Sequence, residues 1–360
     1  MRIAQVAPLY ESCPPQLYGG TERVVSYLTE ELVREGHDVT LFASGDSQTD
    51  ALLRGPCDQA LRLNRACKDP LPYHLVMLNQ VARIADTFEI IHFHIDFLHF
   101  PVFALLWGKT LTTMHARLDL PDLPPLFHEF PMMPLVSISN AQRTPLPTAN
   151  WYGTVYHGLP SDLYALGRGD GGYCAFIGRI SPEKRVDNAI AIARCVGMPL
   201  MIAAKVDNVD LDYYHSEIEP LLKGSGVEFI GEISDEEKRE FLGRAMLLLF
   251  PIDWPEPFGL ATIEAMANGT PVLAFRRGSV SEVVDDGVTG FVVDNVDEAV
   301  AVVPHALALD RREVRRRFEE RFTVERMARD YVALYNEVLR CNSVPAVALS
   351  TKATGERDAA

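Results

Sequence analysis

Two glutamates bracket the segment EPFGLATIE, Glu256 to Glu264, which follows the apolar run MLLLFP. Gly259 lets backbone N–H groups approach a ligand, and a helix that begins near it directs its positive end to the same place. Carboxylates accept hydrogen bonds from vicinal hydroxyls such as those of ribose or a hexose. The pattern therefore predicts a diphosphate site between two hydroxyl-binding acids. The simpler alternative is a capped helix with solvated acids.

Two cations occupy the segment FIGRISPEKR, in which Gly178 opens a turn and Arg179 and Lys184 precede a predicted helix. Arginine can bind a phosphate in a bidentate manner. The chain carries 34 Lys and Arg against 49 Asp and Glu, a formal net charge of −15. Such a surface repels nucleic acids and anionic lipids, so a phosphate ligand needs a local basic pocket. This balance favours an anion site over a surface turn, and no nucleic-acid partner is expected.

A pair of glycines, Gly19 and Gly20 in QLYGGTERV, lies between the first predicted strand and the first predicted helix. Paired glycines at this point permit close approach of a ligand to the backbone, although a tight structural turn explains them equally well. They do not form the G-x-G-x-x-G pattern of dinucleotide-binding proteins, which disfavours a dehydrogenase.

Three histidines, His92, His94 and His115, occur at predicted strand ends. His92 and His94 alternate, so they share one strand face, and we expect that they are not both core residues. No acidic third ligand has a spacing typical of zinc sites, so buried or cleft-edge histidines are favoured over metal ligands. Asp210-Leu211-Asp212 is interpreted as helix-capping. We therefore expect neither a metal nor another cofactor.

The order of strands and helices predicts an α/β fold with two Rossmann-like domains whose parallel sheets face a central cleft. Predicted strands cover residues 2–7, 37–43, 89–94, 110–115, 134–138, 155–157, 173–177, 200–203, 227–230, 246–250, 271–274 and 290–293. Predicted helices cover residues 21–35 (capped by Thr21), 74–88, 186–196, 213–223, 235–245, 261–267, 297–309 and 323–340, with loops at 53–72 and 117–131.

A glycine-rich run, GRGDGG, marks the predicted domain boundary. We expect an N-terminal acceptor-side domain over 1–166 and a C-terminal nucleotide-sugar-binding domain over 167–322. A helix over 323–342 should pack back toward the first domain, and 343–360 should be a disordered tail.

Membrane and redox signals indicate a soluble cytoplasmic protein. No stretch reaches the ~18–20 apolar residues that span a bilayer, and the N-terminus is predicted to be a strand and not a signal peptide. The six cysteines show neither Cys-x-x-Cys nor zinc spacing, which favours reduced thiols.

Taken in order, these motifs resemble a known family. The Gly19-Gly20 pair, EIIHFH, the TMH that ends at His115, GRISPEK and EPFGLATIEAMANGTPV are similar to the retaining glycosyltransferases of family 4 (glycosyl transferase group 1). The resemblance covers nearly all of residues 1–340 and implies the GT-B fold. The chain departs from the family at His157-Gly158, where Asn-Gly is frequent, and at Ala203-Ala204-Lys205, which is usually glycine-rich. Both departures leave the donor open.

The resemblance implies a role for each site residue. Arg179 and Lys184 would bind the donor diphosphate, Glu264 the ribose hydroxyls, and Glu256 the donor sugar. The backbone of Phe258, Gly259 and Leu260 would supply further contacts to the donor. His115 would lie near the donor sugar and the reaction centre, and Gly20 beside the diphosphate and the acceptor.

The implied activity is transfer of glucose or another hexose from a nucleotide-diphosphate sugar, with retention and without metal. UDP-glucose is the favoured donor and GDP-mannose is possible, while the acceptor is a small molecule or a glycan. The alternatives are a nucleotide-sugar epimerase of the same fold, which would turn over donor without acceptor, and a catalytically silent nucleotide-sugar-binding protein.

Overall fold

Two parallel β-sheets form the centres of two lobes in a computed structural model that describes residues 1–17, 19–224 and 226–343. The strands of the first sheet are β1 (Arg2–Val6), β2 (Asp38–Phe42), β3 (Leu52–Arg54), β4 (Ile90–Phe93), β5 (Thr110–Thr113), β6 (Leu135–Ser137) and β7 (Trp151–Thr154). Those of the second sheet are β8 (Cys174–Arg179), β9 (Leu200–Lys205), β10 (Val227–Gly231), β11 (Leu247–Phe250), β12 (Val272–Phe275) and β13 (Gly290–Val293).

The strand order reverses once in each sheet. The first sheet runs β3-β2-β1-β4-β5-β6-β7 and the second β10-β9-β8-β11-β12-β13, with parallel pairing between neighbours. At such a reversal the loops after two adjacent strands diverge and leave a crevice at the carboxyl edge of the sheet. The reversals lie between β1 and β4 and between β8 and β11. The predicted fold class is confirmed.

Helices connect the strands. The longer helices are α1 (Gly20–Arg34), α2 (Leu71–Arg83), α6 (Val186–Val196), α9 (Asp235–Arg244), α10 (Leu260–Ala267), α12 (Val296–Leu307), α13 (Arg311–Arg321) and α14 (Val324–Ser343). The shorter ones are α3 (Phe100–Phe103), α4 (Leu123–Glu129), α5 (Asn140–Arg143), α7 (Leu211–Tyr213), α8 (Glu219–Leu222) and α11 (Val280–Val283), beside 3-10 turns at Ala85–Thr87, Ala104–Lys109 and Asn208–Asp210 and a π-helical turn at Tyr214–Ile218. In the described ranges, every helix is too short or too polar to cross a membrane.

Both faces of the first sheet are covered. Ile3 of β1 packs into a core with residues of α1 and α14, and its neighbour Ala4 packs into another core with residues of α2. Adjacent strand residues point to opposite faces, so a strand buried on both sides consists of a continuous apolar run. This explains the apolar runs from which the strands were predicted.

The chain crosses between the lobes twice, at adjacent points. Leu159 and Thr323 form an isolated β-bridge. A Cβ at position 158 would lie 2.3 Å from the Thr323 carbonyl oxygen, so the crossing requires Gly158. After the second crossing, α14 packs on α1 of the first lobe and buries Tyr331 and Tyr335 completely. The last helix therefore belongs physically to the first lobe, while the predicted tail beyond residue 343 lies outside the described residues.

Several local predictions are wrong. The α1 helix begins at Gly20 with Gly19 as its N-cap and has no side-chain cap, so Thr21 does not cap it. The last strand of the first sheet is β7, not residues 155–157. The predicted loop at 53–72 contains the end of β3 and the start of α2. The predicted loop at 117–131 contains all of α4, a short helix with proline in its first turn. Helix α13, rich in arginine and glutamate, was not predicted because it lacks a long apolar stripe.

Candidate functional site

A cleft of about 890 Å³ lies between the two lobes. Its walls come from loops at the carboxyl edges of both sheets and from the first turns of α1 and α10. All eleven residues predicted from the sequence line it: Gly19, Gly20, His115, Gly178, Arg179, Lys184, Glu256, Phe258, Gly259, Leu260 and Glu264. The structure therefore brings together segments that are far apart in the chain.

The loop before α10 presents free backbone donors to this cleft. Gly259 is the N-cap of α10 at φ 84°, in the left-handed region, and no side chain caps the helix. The open N–H groups and the helix dipole make this end of α10 suited to an anion. Glu256 precedes the helix and Glu264 lies within it, and both are largely buried in the cleft wall. A Cβ at Gly278 would lie 2.3 Å from the Glu256 carbonyl oxygen, so a glycine supports this loop from behind.

Lys184 is held against the loop that carries Glu256. Its Nζ lies 2.5 Å from Glu256 Oε2 and 4.8 Å from the centre of the Trp254 ring. The indole Nε1 of Trp254 donates to the same carboxylate oxygen at 2.9 Å. The ammonium group is therefore fixed between an aromatic face and a carboxylate, beside the N-terminus of α10.

Arg179 lies at the end of β8, inside the strand and not in a turn opened by Gly178 as predicted. Its guanidinium faces three carboxylates, those of Glu183 at 3.2 Å and of Asp207 and Asp210 at 3.6 Å. Nε of Arg179 and Oδ2 of Asp210 are both enclosed, and neither makes a hydrogen bond among the described residues. The guanidinium thus has a donor for which the described protein supplies no acceptor at hydrogen-bond distance.

Asp210 also corrects the sequence interpretation of Asp210-Leu211-Asp212. It occupies the N-cap position of α7 but makes no capping hydrogen bond there. Its carboxylate instead faces Arg179. In the described ranges, no group of three or more His, Cys, Asp or Glu side chains is placed to hold a metal ion.

Ion pairs link Glu264 to the opposite lobe. Lys238 of α9 lies 2.7 Å from Glu264 Oε1 and 3.3 Å from Asp235. Asp235 in turn pairs with Arg23 of α1, in the first lobe. A series of alternating charges therefore runs from the acid in α10 across the cleft to the first turns of α1.

The N-termini of α1 and α10 meet across the cleft. A Cβ at Gly20 would lie 3.3 Å from Cδ1 of Leu260, so the first residues of the two helices are in contact. At Gly19, where φ is 156°, a Cβ would lie 2.8 Å from that of Pro15. Gly20 thus permits the close approach of the lobes, Gly19 permits the tight packing of its own loop, and two uncapped helix ends converge at one place.

His115 stands at the edge of this cleft, after β5. Its Nε2 lies 2.9 Å from Nδ1 of His94, and its ring stacks on that of His157 with centroids 5.3 Å apart. Burial lowers the pKa of His115 to about 3, so the ring is neutral at physiological pH. His94 lines the cleft too, in agreement with the expectation that His92 and His94 are not both core residues, although both side chains are buried and hydrogen-bonded.

Several cleft residues with evident chemistry were missed from the sequence, among them Lys238, Glu22, Trp254 and Asp96. Lys238 and Glu22 lie on helices in ordinary charged stretches, where nothing marks them. Trp254 could have been considered, because a tryptophan ring next to a candidate cation site can attract the cation to its face. Asp96 follows β4 with φ 49°, and its Oδ1 is enclosed without a hydrogen-bond partner in the described chain.

Separate protein-family models match the two parts of the chain. Residues 167–323 match the model of glycosyl transferases group 1, and residues 18–149 match that of glycosyltransferase family 4. The D-inositol 3-phosphate glycosyltransferase of Mycolicibacterium smegmatis is 31% identical over 45% of this chain and 39% of that protein. O-antigen chain mannosyltransferase C of Escherichia coli is 24% identical over 95% of this chain and 100% of its own length. For the first curated relatives, two proteins from Klebsiella pneumoniae and the enzyme from M. smegmatis, the aligned region covers less than half of the relative's length.

Solved structures share the fold over nearly the whole chain. A glycosyltransferase involved in avilamycin A biosynthesis has a TM-score of 0.69 at 22% identity, with 94% of this chain and 98% of that chain covered. Sucrose-phosphate synthase from Thermosynechococcus elongatus has a TM-score of 0.74 at 19% identity, with 95% of this chain and 100% of that chain covered. The HepE protein of Anabaena in complex with UDP-glucose has a TM-score of 0.68 at 16% identity, covering 95% and 99%.

Proposed function

Since the chain belongs to the group 1, family 4 glycosyltransferases and has their GT-B fold, we propose that it transfers a hexose from a nucleotide-diphosphate sugar to a hydroxyl of a small molecule or glycan. One observation carries the proposal. Arg179 and Lys184 line the same cleft as the uncapped N-terminus of α10, between Glu256 and Glu264.

The proposed reaction breaks the bond between the anomeric carbon and the diphosphate oxygen. As the bond breaks, negative charge grows on the diphosphate, and preorganised donors lower the barrier by stabilising that charge. Arg179, Lys184 and the end of α10 would supply this stabilisation without a metal. Attack of the acceptor hydroxyl from the leaving-group face would give retention, which anomeric analysis of the product by NMR tests.

UDP-glucose is the donor to test first, and GDP-mannose the second. The Anabaena neighbour is described in complex with UDP-glucose, and the E. coli relative is named a mannosyltransferase. A reducing compartment such as the cytoplasm is part of the proposal, because all six cysteines are free thiols.

The test combines kinetics with calorimetric titration by UDP and uridine, and by GDP and guanosine. Arg179→Ala and Lys184→Ala should each lower kcat at least about tenfold and weaken nucleoside diphosphate binding, while nucleoside binding changes little. The double variant should lose less than the sum, because both cations act on one diphosphate. Arg312→Ala, an exposed arginine of α13 outside the cleft lining, is the control.

Two results would count against the proposal. If both variants keep the wild-type kcat and diphosphate affinity, the cleft cations do not serve the reaction. If the donor is converted to an epimer without acceptor, or is bound without any turnover, the chain is an epimerase or a silent binding protein.

A further inference from the structure

A continuous chain of buried hydrogen bonds connects the last helix to the cleft. Seven side chains take part, in the order Tyr331, Thr113, His92, Tyr335, Gln5, His94 and His115. The six links measure between 2.8 and 3.0 Å. They join α14, β5, β4 and β1 and end at His115, which lines the cleft together with His94. None of these contacts is required by the diphosphate site described above.

The amide of Gln5 gives this chain a direction. Its Nε2 donates to the hydroxyl of Tyr335 at 3.0 Å, so its Oε1 is left to accept from Nε2 of His94 at 2.8 Å. A neutral imidazole has one N–H and one lone pair. Because His94 donates through Nε2, its Nδ1 must accept, and the donor at 2.9 Å is Nε2 of His115.

The same logic runs the other way toward α14. The hydroxyl of Tyr335 accepts from Gln5 and donates to Nδ1 of His92 at 2.8 Å. Nε2 of His92 therefore carries its proton and donates to Thr113 Oγ1 at 2.8 Å. Every member satisfies its neighbour, so reversing one ring alone would leave a buried group unpaired, and a reversal must include the other members and the Gln5 amide.

Burial keeps all of these rings uncharged. It lowers the pKa of His92 and of His94 well below the ordinary value of 6.5, and that of His115 to about 3. A protonated His94 would place two N–H donors against each other in the His94–His115 contact. The hydrogen-bonded members of this chain carry no carboxylate, and the nearby buried carboxyl group of Asp96 accepts instead from the backbone N–H groups of His115 and Ala116, while burial raises its pKa.

We infer that Gln5, His94 and Tyr335 are positioning residues that hold His115 as the neutral Nε2–H tautomer and leave its Nδ1 to accept a hydrogen bond from a hydroxyl in the cleft. His115 then works as a fixed acceptor, neither as an acid nor as a base. That the hydroxyl belongs to the donor sugar rests on the proposed function, whereas the tautomer does not. The last helix thereby contributes to the reaction site through Tyr335, although it lines no part of the cleft.

The first test reads the tautomer directly, without any substrate. Long-range ¹H–¹⁵N correlation on protein labelled in the histidine rings distinguishes the two neutral tautomers and the cation, and His94→Asn and His115→Asn assign the signals. The inference expects His115 and His94 both as Nε2–H from pH 6 to 8. In Tyr335→Phe, His115 should become a mixture of tautomers. A wild-type His115 that is protonated on Nδ1 or charged overturns the inference.

The second test compares two titrations of each variant. Tyr335→Phe should weaken UDP-glucose binding by about threefold to tenfold, the value of one neutral hydrogen bond, and leave UDP binding unchanged. Tyr173→Phe is the matched control, because it removes a buried tyrosine hydroxyl that donates to the Phe241 carbonyl at 2.7 Å in the other lobe. Gln5→Met breaks the chain at a second point should Tyr335→Phe fail to fold.

The outcomes separate the two proposals. If Tyr335→Phe and Gln5→Met keep the wild-type tautomer of His115, the positioning role is wrong. If the tautomer changes as expected while the wild-type protein does not bind UDP-glucose, the proposed donor is wrong and the positioning role stands.

Discussion

The ammonium group of Lys184 lies 2.5 Å from the carboxylate of Glu256, although the two residues follow different strands of the second sheet. Lys184 comes after β8 and Glu256 after β11, the two strands on either side of the reversal in strand order. The fold therefore assembles this ion pair at the crevice that the topology creates. The carboxylate thus pairs with the cation that is proposed to bind the diphosphate.

This competition makes Glu256→Gln informative. Removing the carboxylate charge frees Lys184 for a diphosphate, so UDP should bind more tightly to the variant than to the wild type. The rate of transfer should nevertheless fall, by about tenfold or more, if Glu256 stabilises the donor sugar as the bond breaks. Calorimetry with UDP and steady-state kinetics with the sugar donor measure the two effects separately.

Glu256→Asp is the companion variant, since it keeps the charge but withdraws it from Lys184. A Glu256→Gln protein whose UDP affinity and kcat both stay at the wild-type level would remove Glu256 from the site. A parallel fall in both would mean that the carboxylate only orders the loop.

Glu264 gives a second prediction, about the ribose of the nucleotide. If Glu264 accepts hydrogen bonds from the ribose diol, Glu264→Gln should weaken UDP binding by about 1.5–3 kcal/mol, the value of a hydrogen bond to a charged group. The wild type should also discriminate UDP from 2′-deoxy-UDP, and the variant should lose most of that discrimination. Competition titrations with the two nucleotides measure it.

Lys238→Met controls this experiment, because Lys238 lies 2.7 Å from Glu264 and holds it in place. This variant should keep the preference for UDP over 2′-deoxy-UDP, since the carboxylate remains. Equal discrimination in the wild type and in Glu264→Gln would show that Glu264 does not contact the ribose.

The site loops were predictable because their residues carry local signals. One signal is Gly259, which precedes a helix and is flanked by acids. Another is the pair Arg179 and Lys184 on either side of a proline. Both can be recognised from the local sequence alone. The same holds for the parallel sheets, whose strands are buried on both faces and therefore form short apolar runs. The exact ends of elements were less predictable, because β7 begins at Trp151 and α4 begins with prolines in its first turn.

The partners of the site residues could not be predicted, because they come from distant parts of the chain. Lys238 reaches Glu264, and Asp210 faces Arg179, only after the second sheet has formed. His92 and His94 were expected not to be both core residues, and His94 lines the cleft, but the hydroxyl that bonds His92 belongs to Tyr335 of α14. Sequence spacing alone does not reveal such pairs.

Metal removal tests the charge balance of the proposed reaction. Activity should survive an excess of EDTA, because Arg179, Lys184 and the N-terminus of α10 are proposed to stabilise the leaving diphosphate. The measurement is initial rate in chelator-treated protein, with and without added Mg²⁺ or Mn²⁺. Complete loss on chelation, restored by Mn²⁺, would contradict the prediction and direct attention to Asp207 and Asp210 beside Arg179.

Glu22 predicts a pH dependence of stability. It lies in the first turn of α1, is 5% exposed, and lines the cleft. Burial raises its pKa from the ordinary value of 4.5 to about 7, a shift that the backbone N–H groups of Glu22 and Glu11 only partly oppose. The folded protein therefore binds this proton more tightly than the unfolded chain does. The resulting contribution of Glu22 to the free energy of unfolding is fully present below about pH 4.5 and is lost as the pH rises toward 7.

Glu22→Gln should abolish this dependence, because the amide does not titrate. The free energy of unfolding of the wild type, relative to that of Glu22→Gln, should fall between pH 4.5 and 7 by up to roughly 3 kcal/mol. Urea unfolding of both proteins at several pH values measures the difference and cancels the titration of other groups. Glu337→Gln, at an exposed position of α14, is the control, since water already solvates that carboxylate. A difference between wild type and Glu22→Gln that stays constant over this range, or that rises with pH, would contradict a buried, proton-binding Glu22.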